Sequence, residues 1–172
     1  MPIEELRAEA AEAELPALAQ LLAACVAGGA SVNFLQPFPA AEAEAWWRAK
    51  VLPALARGER RLLVARLGGA IIGTAQLDLA TPPNQAHRAD VSKVLVHPGA
   101  RRRGVARALM LALEAIAAEE GRTLLTLDTQ QDGAAEALYR GLGYVSLGVI
   151  PGYARAASGT ALEGATFFYK QL

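Results

Sequence analysis

The chain has 172 residues, with 17 basic and 17 acidic side chains and a formal net charge of zero at neutral pH. That length suits one domain with a full hydrophobic core and is short for two, and a balanced charge with one arginine cluster argues against a nucleic-acid partner. A single cysteine, Cys25, rules out an internal disulfide, and two scattered histidines, His87 and His97, give no metal-ligand set.

The opening MPIEELRAEAAE is acidic where a secretion signal would be basic, and no stretch approaches the ~18 apolar residues of a membrane span. A cytoplasmic protein with no membrane contact is expected. Ile3 to Ala8 reads as a short strand and Ala11 to Ala27 as a helix ended by Gly28-Gly29. Cys25 falls in the apolar run Leu15 to Val26, the setting of a buried structural thiol rather than a nucleophile. GGASVNFLQPFP follows, with glycine, proline and two exposed-looking aromatics, Phe34 and Phe38; it reads as a loop of the kind that carries function. A second helix is predicted over Ala40 to Ala56, anchored by Trp46 and Trp47. Arg61 to Leu67 and Ala70 to Leu79 make a hairpin about Gly68-Gly69.

After a Thr81 to Asn84 loop, the β-branched run Val91 to Val96 predicts a strand, broken at His97-Pro98. Val105 to Glu119 has apolar positions at Leu109, Leu113 and Ile116, the spacing of a helix, and stops at Gly121. Thr123 to Thr129 is a further strand, parallel to Val91 to Val96 because a helical crossover joins them. Gly133 to Leu142 predicts a short helix, and Tyr144 to Val149 and Thr166 to Lys170 the last strands. The class is therefore mixed α/β around one central sheet, a single domain over residues 1–172.

Between strand and helix lies Arg101-Arg102-Arg103-Gly104-Val105-Ala106-Arg107. Gly104 and Ala106 let the backbone approach a ligand and turn its N–H groups inward, and the helix N-terminus beyond favours an anion. Arg101, Arg102, Arg103 and Arg107 add charge that can pair with phosphate oxygens. The motif alone is weak; its place between strand and helix points to a pyrophosphate site.

The strand, loop and helix of Val91 to Glu119, together with AEALYRGLGY at Ala135 to Tyr144, resemble the two core motifs of the GNAT superfamily of N-acetyltransferases, over most of the chain. More narrowly, GGASVNF, HRADVSKVLVHP, LLTLDT, IPGYA and TFFYKQL resemble the tabtoxin-resistance acetyltransferase branch. The superfamily resemblance implies a mostly antiparallel sheet with two splayed parallel strands and acetyl-CoA, as co-substrate, between them; no metal is implied. The pantetheine arm would pair with backbone of Val94, Leu95 and Val96, and the pyrophosphate would meet the amides of Arg102 to Ala106.

Acetyl transfer to an amine needs a neutral amine, a stabilised oxyanion and a proton for the departing thiolate. Tyr139 stands at the family's Leu-Tyr position and is the expected donor; from an ordinary phenol to a thiolate the transfer is uphill by roughly 2 kcal/mol. Asp90 and Asp128, expected at strand ends beside the opening, are candidates to bind the ammonium or take its proton. Asp90 lies fourteen residues before Gly104, where histone-acetylating members carry a glutamate base. A strand-end aspartate paired with Arg88 or Lys93 is the structural alternative. By analogy the Leu95 N–H meets the oxyanion. Many relatives place an asparagine seven residues before the tyrosine; here that position is Asp132, which can accept but not donate like an amide, and an N-cap and first turn made by Asp132-Gly133 is the alternative.

Ser31, Asn33 and Phe34 offer two polar handles and an aromatic wall for a compact polar amine, and the branch resemblance favours an amino-acid-like molecule or toxin. A non-catalytic acyl-CoA-binding module and a protein or peptide N-acetyltransferase stay open. The edges of the two late strands could join two copies as a homodimer.

Overall fold

The computed structural model describes all 172 residues and places seven strands in one sheet, in the order β1-β2-β3-β4-β5-β7-β6. β1 (Ile3–Glu5), β2 (Arg60–Leu67), β3 (Ala70–Asp78) and β4 (Arg88–Val96) are antiparallel neighbours. β4 and β5 (Leu124–Gln130) run parallel, joined through α5 (Val105–Glu119) as the crossover requires. β7 (Leu162–Gln171) lies between β5 and the edge strand β6 (Val145–Arg155).

Alternation along β2 sends successive side chains to opposite layers. Leu63 and Ala65 face α5, where Leu109, Met110, Leu113 and Ala117 complete one core; Leu62 and Val64 join Leu18, Leu22 and Trp47 in the other. The predicted helix over Ala11 to Ala27 is two, α1 (Ala8–Ala13) and α2 (Leu15–Ala27), because Pro16 has no N–H to continue the ladder and is tolerated only in a first turn. Likewise the predicted Ala40 to Ala56 helix is α3 (Ala40–Trp46), a π turn over Trp47–Val51 and α4 (Leu52–Ala56), the wide turn preceding Pro53.

Two corrections concern the C-terminal third. The predicted Tyr144 to Val149 and Thr166 to Lys170 strands extend to Val145–Arg155 and Leu162–Gln171; Gly148, Pro151 and Gly152 look like turn signals, yet an edge strand with register shifts accommodates them. β7 is also interior, so of the two late strands only β6 lies at an edge, β1 being the sheet's other edge. No helix is long and apolar enough to cross a membrane.

Two features of β4 position the site. Its ladder with β5 covers only Arg88–Asp90 against Leu124–Thr126, after which the strands part. On its other side Thr74 pairs with Leu95 and Gln76 with Ser92, so Lys93 and Val94 stand opposite Ala75 alone. Lys93 takes a left-handed φ of 50° in this bulge, which bends the strand.

Candidate functional site

β4 leads through a short 3-10 turn, Pro98–Ala100, in which His97 Nδ1 accepts the Gly99 N–H at 3.2 Å. Arg102 and Gly104 then adopt left-handed φ of 63° and 77°, and residues of that conformation between ordinary ones turn successive N–H groups into a concave nest. A Cβ at Gly104 would meet nothing within 4 Å, so the glycine answers to the backbone angle and leaves open room above the loop. No side chain caps α5, so its first amides are free to meet an anion.

The four arginines divide. All four are exposed, but Arg101 Nε donates to the Val96 carbonyl at 3.4 Å and Arg107 to the Gly141 carbonyl at 3.3 Å, while the side chains of Arg102 and Arg103 make no hydrogen bond. Arg103 alone of the four does not line the cleft that follows.

That cleft, about 440 Å³, occupies the gap between the parted strands. Val94, Leu95 and Val96 form one wall and Thr129 and Gln130 the other; Gly104, Val105 and Ala106 close one end and Tyr139 lines it from α6 (Ala134–Gly141). Cys25, Gly28 and Ser31 line it from the end of α2, which the sequence did not signal beyond Ser31. Cys25 is buried and donates to the Val96 carbonyl at 3.4 Å; burial pushes its thiol up, against the pull of Arg101, so it is a poor nucleophile, as expected. No group of three metal-ligating side chains exists.

Tyr139 is 5% exposed, with its ring 5.7 Å from Tyr144 and 5.9 Å from Phe168. Burial, with the Asp128 charge added, raises its phenol pKa, so it stays protonated. Asp132 departs from expectation. Its φ is 58°, its N–H donates to Glu136 Oε1 at 3.1 Å, its side chain caps nothing, and it lies outside the cleft, where Gln130 and Gly133 take its place.

On the sheet face opposite α5, Asp90 is not at a strand end: it is the last β4 residue paired with β5, bound to Arg88 at 2.6 Å and accepting the Thr126 hydroxyl. The pairing with Arg88 weighed as its structural alternative is thus present. Asp128, within β5, is exposed at its surface and has no ion pair; partial desolvation raises its pKa, with Lys93 opposing. Lys93 reaches over the rings of Phe34 (5.8 Å) and Trp46 (5.4 Å). Its pKa is lowered to about 8 by burial and by Arg60, with Asp128 opposing. Arg60 itself is held by Asp78 at 2.7 Å and Gln76 at 3.2 Å.

Phe34 and Phe38 are half-buried rather than exposed, stacked at 4.3 Å with Trp46 edge-on to Phe34 at 5.3 Å. Their loop is pinned by Gln36, whose side chain donates to the Val26 carbonyl and whose N–H donates to Ala157, each at 2.7 Å. Asn33, with φ 75°, is exposed and outside the cleft. Lys93 and Trp46 were missed by sequence reasoning; the signal for Lys93 was a lone cation inside an apolar β-branched run.

Residues 20–144 match the model of the Acetyltransferase (GNAT) family. An uncharacterized N-acetyltransferase of the hisH-hisA intergenic region of Azospirillum brasilense is 38% identical over 110 residues, which span 62% of this chain and 62% of that relative's length. A ribosomal-protein-alanine N-acetyltransferase from Brucella melitensis has a TM-score of 0.77 over 100% of both chains at 22% identity. A Salmonella typhimurium structure containing its cofactor acetyl-CoA has a TM-score of 0.76 over 99% of this chain and 94% of that one, at 20% identity. At such identities these structures speak for the fold alone.

Proposed function

Because the chain belongs to the GNAT family of acetyltransferases, we propose that it transfers the acetyl group of acetyl-CoA directly to the primary amine of a small polar, amino-acid-like molecule. The observation that carries this reading is the parting of β4 and β5 beyond Asp90, with a cleft running from the arginine loop to Tyr139. The residues present fit acetyl-CoA: left-handed Arg102 and Gly104 cradle an anion beside an uncapped helix, and the β4 edge has backbone groups for an amide arm.

The thioester supplies an activated acyl group. Amides of Arg102 to Ala106 hold the pyrophosphate, with Arg101, Arg102, Arg103 and Arg107 supplying charge around them. Val94, Leu95 and Val96 serve as the rail for the pantetheine arm, Val96 less through its carbonyl, which already accepts from Cys25 and Arg101. The Leu95 N–H stabilises the oxyanion, a role that requires no side chain. Asp128, rather than the paired Asp90, binds the acceptor ammonium, and its raised pKa suits it to take the proton directly or through water. Tyr139 donates to the departing thiolate. Burial makes this phenol a weaker acid than the ordinary one, but the same dry surroundings raise the thiol's pKa as well, so the mismatch grows by less than the phenol's shift alone.

The amino-acid-like acceptor rests on the resemblance to the tabtoxin-resistance branch, and a cytoplasmic location on the supply of acetyl-CoA. A second copy is the occupant we assign to β6, whose unpaired edge exposes Leu147, Val149, Ile150 and Tyr153. Antiparallel edge pairing about a two-fold axis would satisfy its backbone and cover those side chains. Light scattering checks this: a dimer that Leu147→Glu dissociates is expected, and a monomeric native protein ends the idea.

Thiol release across a panel of amines tests the activity. Amine-dependent release is expected; tight acetyl-CoA binding without it makes the protein an acyl-CoA-binding module, and efficient acetylation of peptides in preference to small amines makes it a protein acetyltransferase.

A further inference from the structure

Among the charged side chains around the parting of β4 and β5 on the face opposite α5, some are paired and two are not. Arg60 is tied to Asp78, and Arg88 to Asp90. Lys93 and Asp128 have no ion-pair partner and form none with each other, although each feels the other's charge across the parted strands. The β4 bulge turns Lys93 toward Phe34 and Trp46, whose rings steady its ammonium without neutralising it. Lys93 and Asp128 do not line the cleft but directly precede Val94 and Thr129, which do, and a half-buried cation there with no ion-pair partner has capacity for an anion.

We propose that Lys93 and Asp128 form a two-point subsite for an acceptor bearing both an ammonium and a carboxylate, with Lys93 binding the carboxylate. This rests on the acetyltransferase reading above and names the substrate class of the same site. The charges explain a preference as well as a contact. An amine without a carboxylate brings its cation to Asp128 but leaves Lys93 without an anion, whereas a zwitterion meets opposite charge at each end. Lys93 is thus a specificity-determining residue and has no part in moving the amine's proton.

The test measures kcat/KM for amino acids beside their C-terminal amides, in the native enzyme and in Lys93→Met and Lys93→Arg. The native enzyme is expected to prefer the acids, Lys93→Met to lower the acid-to-amide ratio by about 10- to 100-fold, the range of a charge-assisted contact, and Lys93→Arg to restore much of it. Equal use of acids and amides by the native enzyme, or an equal loss on both in Lys93→Met with its melting temperature retained, overturns the subsite while leaving acetyl transfer intact. Acetyl-CoA binding with no thiol release from any amine overturns both together.

Discussion

The two sides of the split in the sheet are built by opposite means. The side we assign to acetyl-CoA draws on one run of chain, Val94 to Arg107, and largely on its backbone: a strand edge, two left-handed residues and a helix terminus. The side we propose for the acceptor is assembled from side chains, Phe34, Trp46, Lys93 and Asp128, brought from a loop, a helix and two strands. A backbone site is hard to alter one residue at a time and suits a partner that never changes, whereas a side-chain site can be retuned by single substitutions without disturbing the sheet.

The largest expected effect lies where the two sides meet. Tyr139→Phe should lower kcat about 100-fold while leaving acetyl-CoA affinity within about twofold, because the ring keeps its packing on Tyr144 and Phe168. Steady-state kinetics and calorimetry read the two separately, and an unchanged kcat across pH removes Tyr139 as donor. Next is Gly104→Val, which forces a β-branched residue to a φ of 77° and fills the room above the loop; acetyl-CoA should bind about 10- to 30-fold more weakly by calorimetry. At saturating acetyl-CoA the acceptor KM should move little, and an equal change in both would mean the sides are not separable.

A smaller effect concerns pH. Lys93 loses its proton as pH rises through about 8, so the KM of a carboxylate-bearing acceptor should rise a few-fold between pH 7 and 9, and this limb should vanish in Lys93→Met. Arg60 and Asp128 are the charged groups facing Lys93. The smallest effect is on stability. The Asp128 pKa is raised in the folded protein, so the folded chain holds that proton more tightly than the unfolded one, and the stability this brings at low pH is lost as pH climbs from the ordinary carboxylate range through the raised value. Asp128→Asn should therefore raise the melting temperature at neutral pH by about a degree while lowering kcat/KM. A lower melting temperature would mean that Asp128 holds a structural contact.

The same contrast explains what could be read in the sequence. α5 falls at Val105–Glu119 as its spacing predicts, and the loop before it has the expected glycine in a left-handed conformation, because periodicity and backbone chemistry are local signals. The breaks at Pro16 and Pro53 were legible in principle but were overridden by long apolar runs. Lys93 and Trp46 could not be joined by inspection, since their meeting depends on a bulge set by the pairing of β3 with β4 and on a loop fastened by Gln36. Asp90 and Asp128 look alike in sequence; what tells them apart is the short ladder that brings Thr126 to Asp90, beside the Arg88 of its own strand.

The extra residue at Lys93 also sets the phase of β4. Before it, Ala89 and Val91 pack toward α5; after it, Val94 and Val96 do so, and Leu95 goes to the layer of α2. β4 is thus two half-strands in opposite alternation. Deleting one residue here would give a more regular strand with a worse protein, since every side chain from Val94 outward would change layers, and the wall of the cleft would be turned inside out.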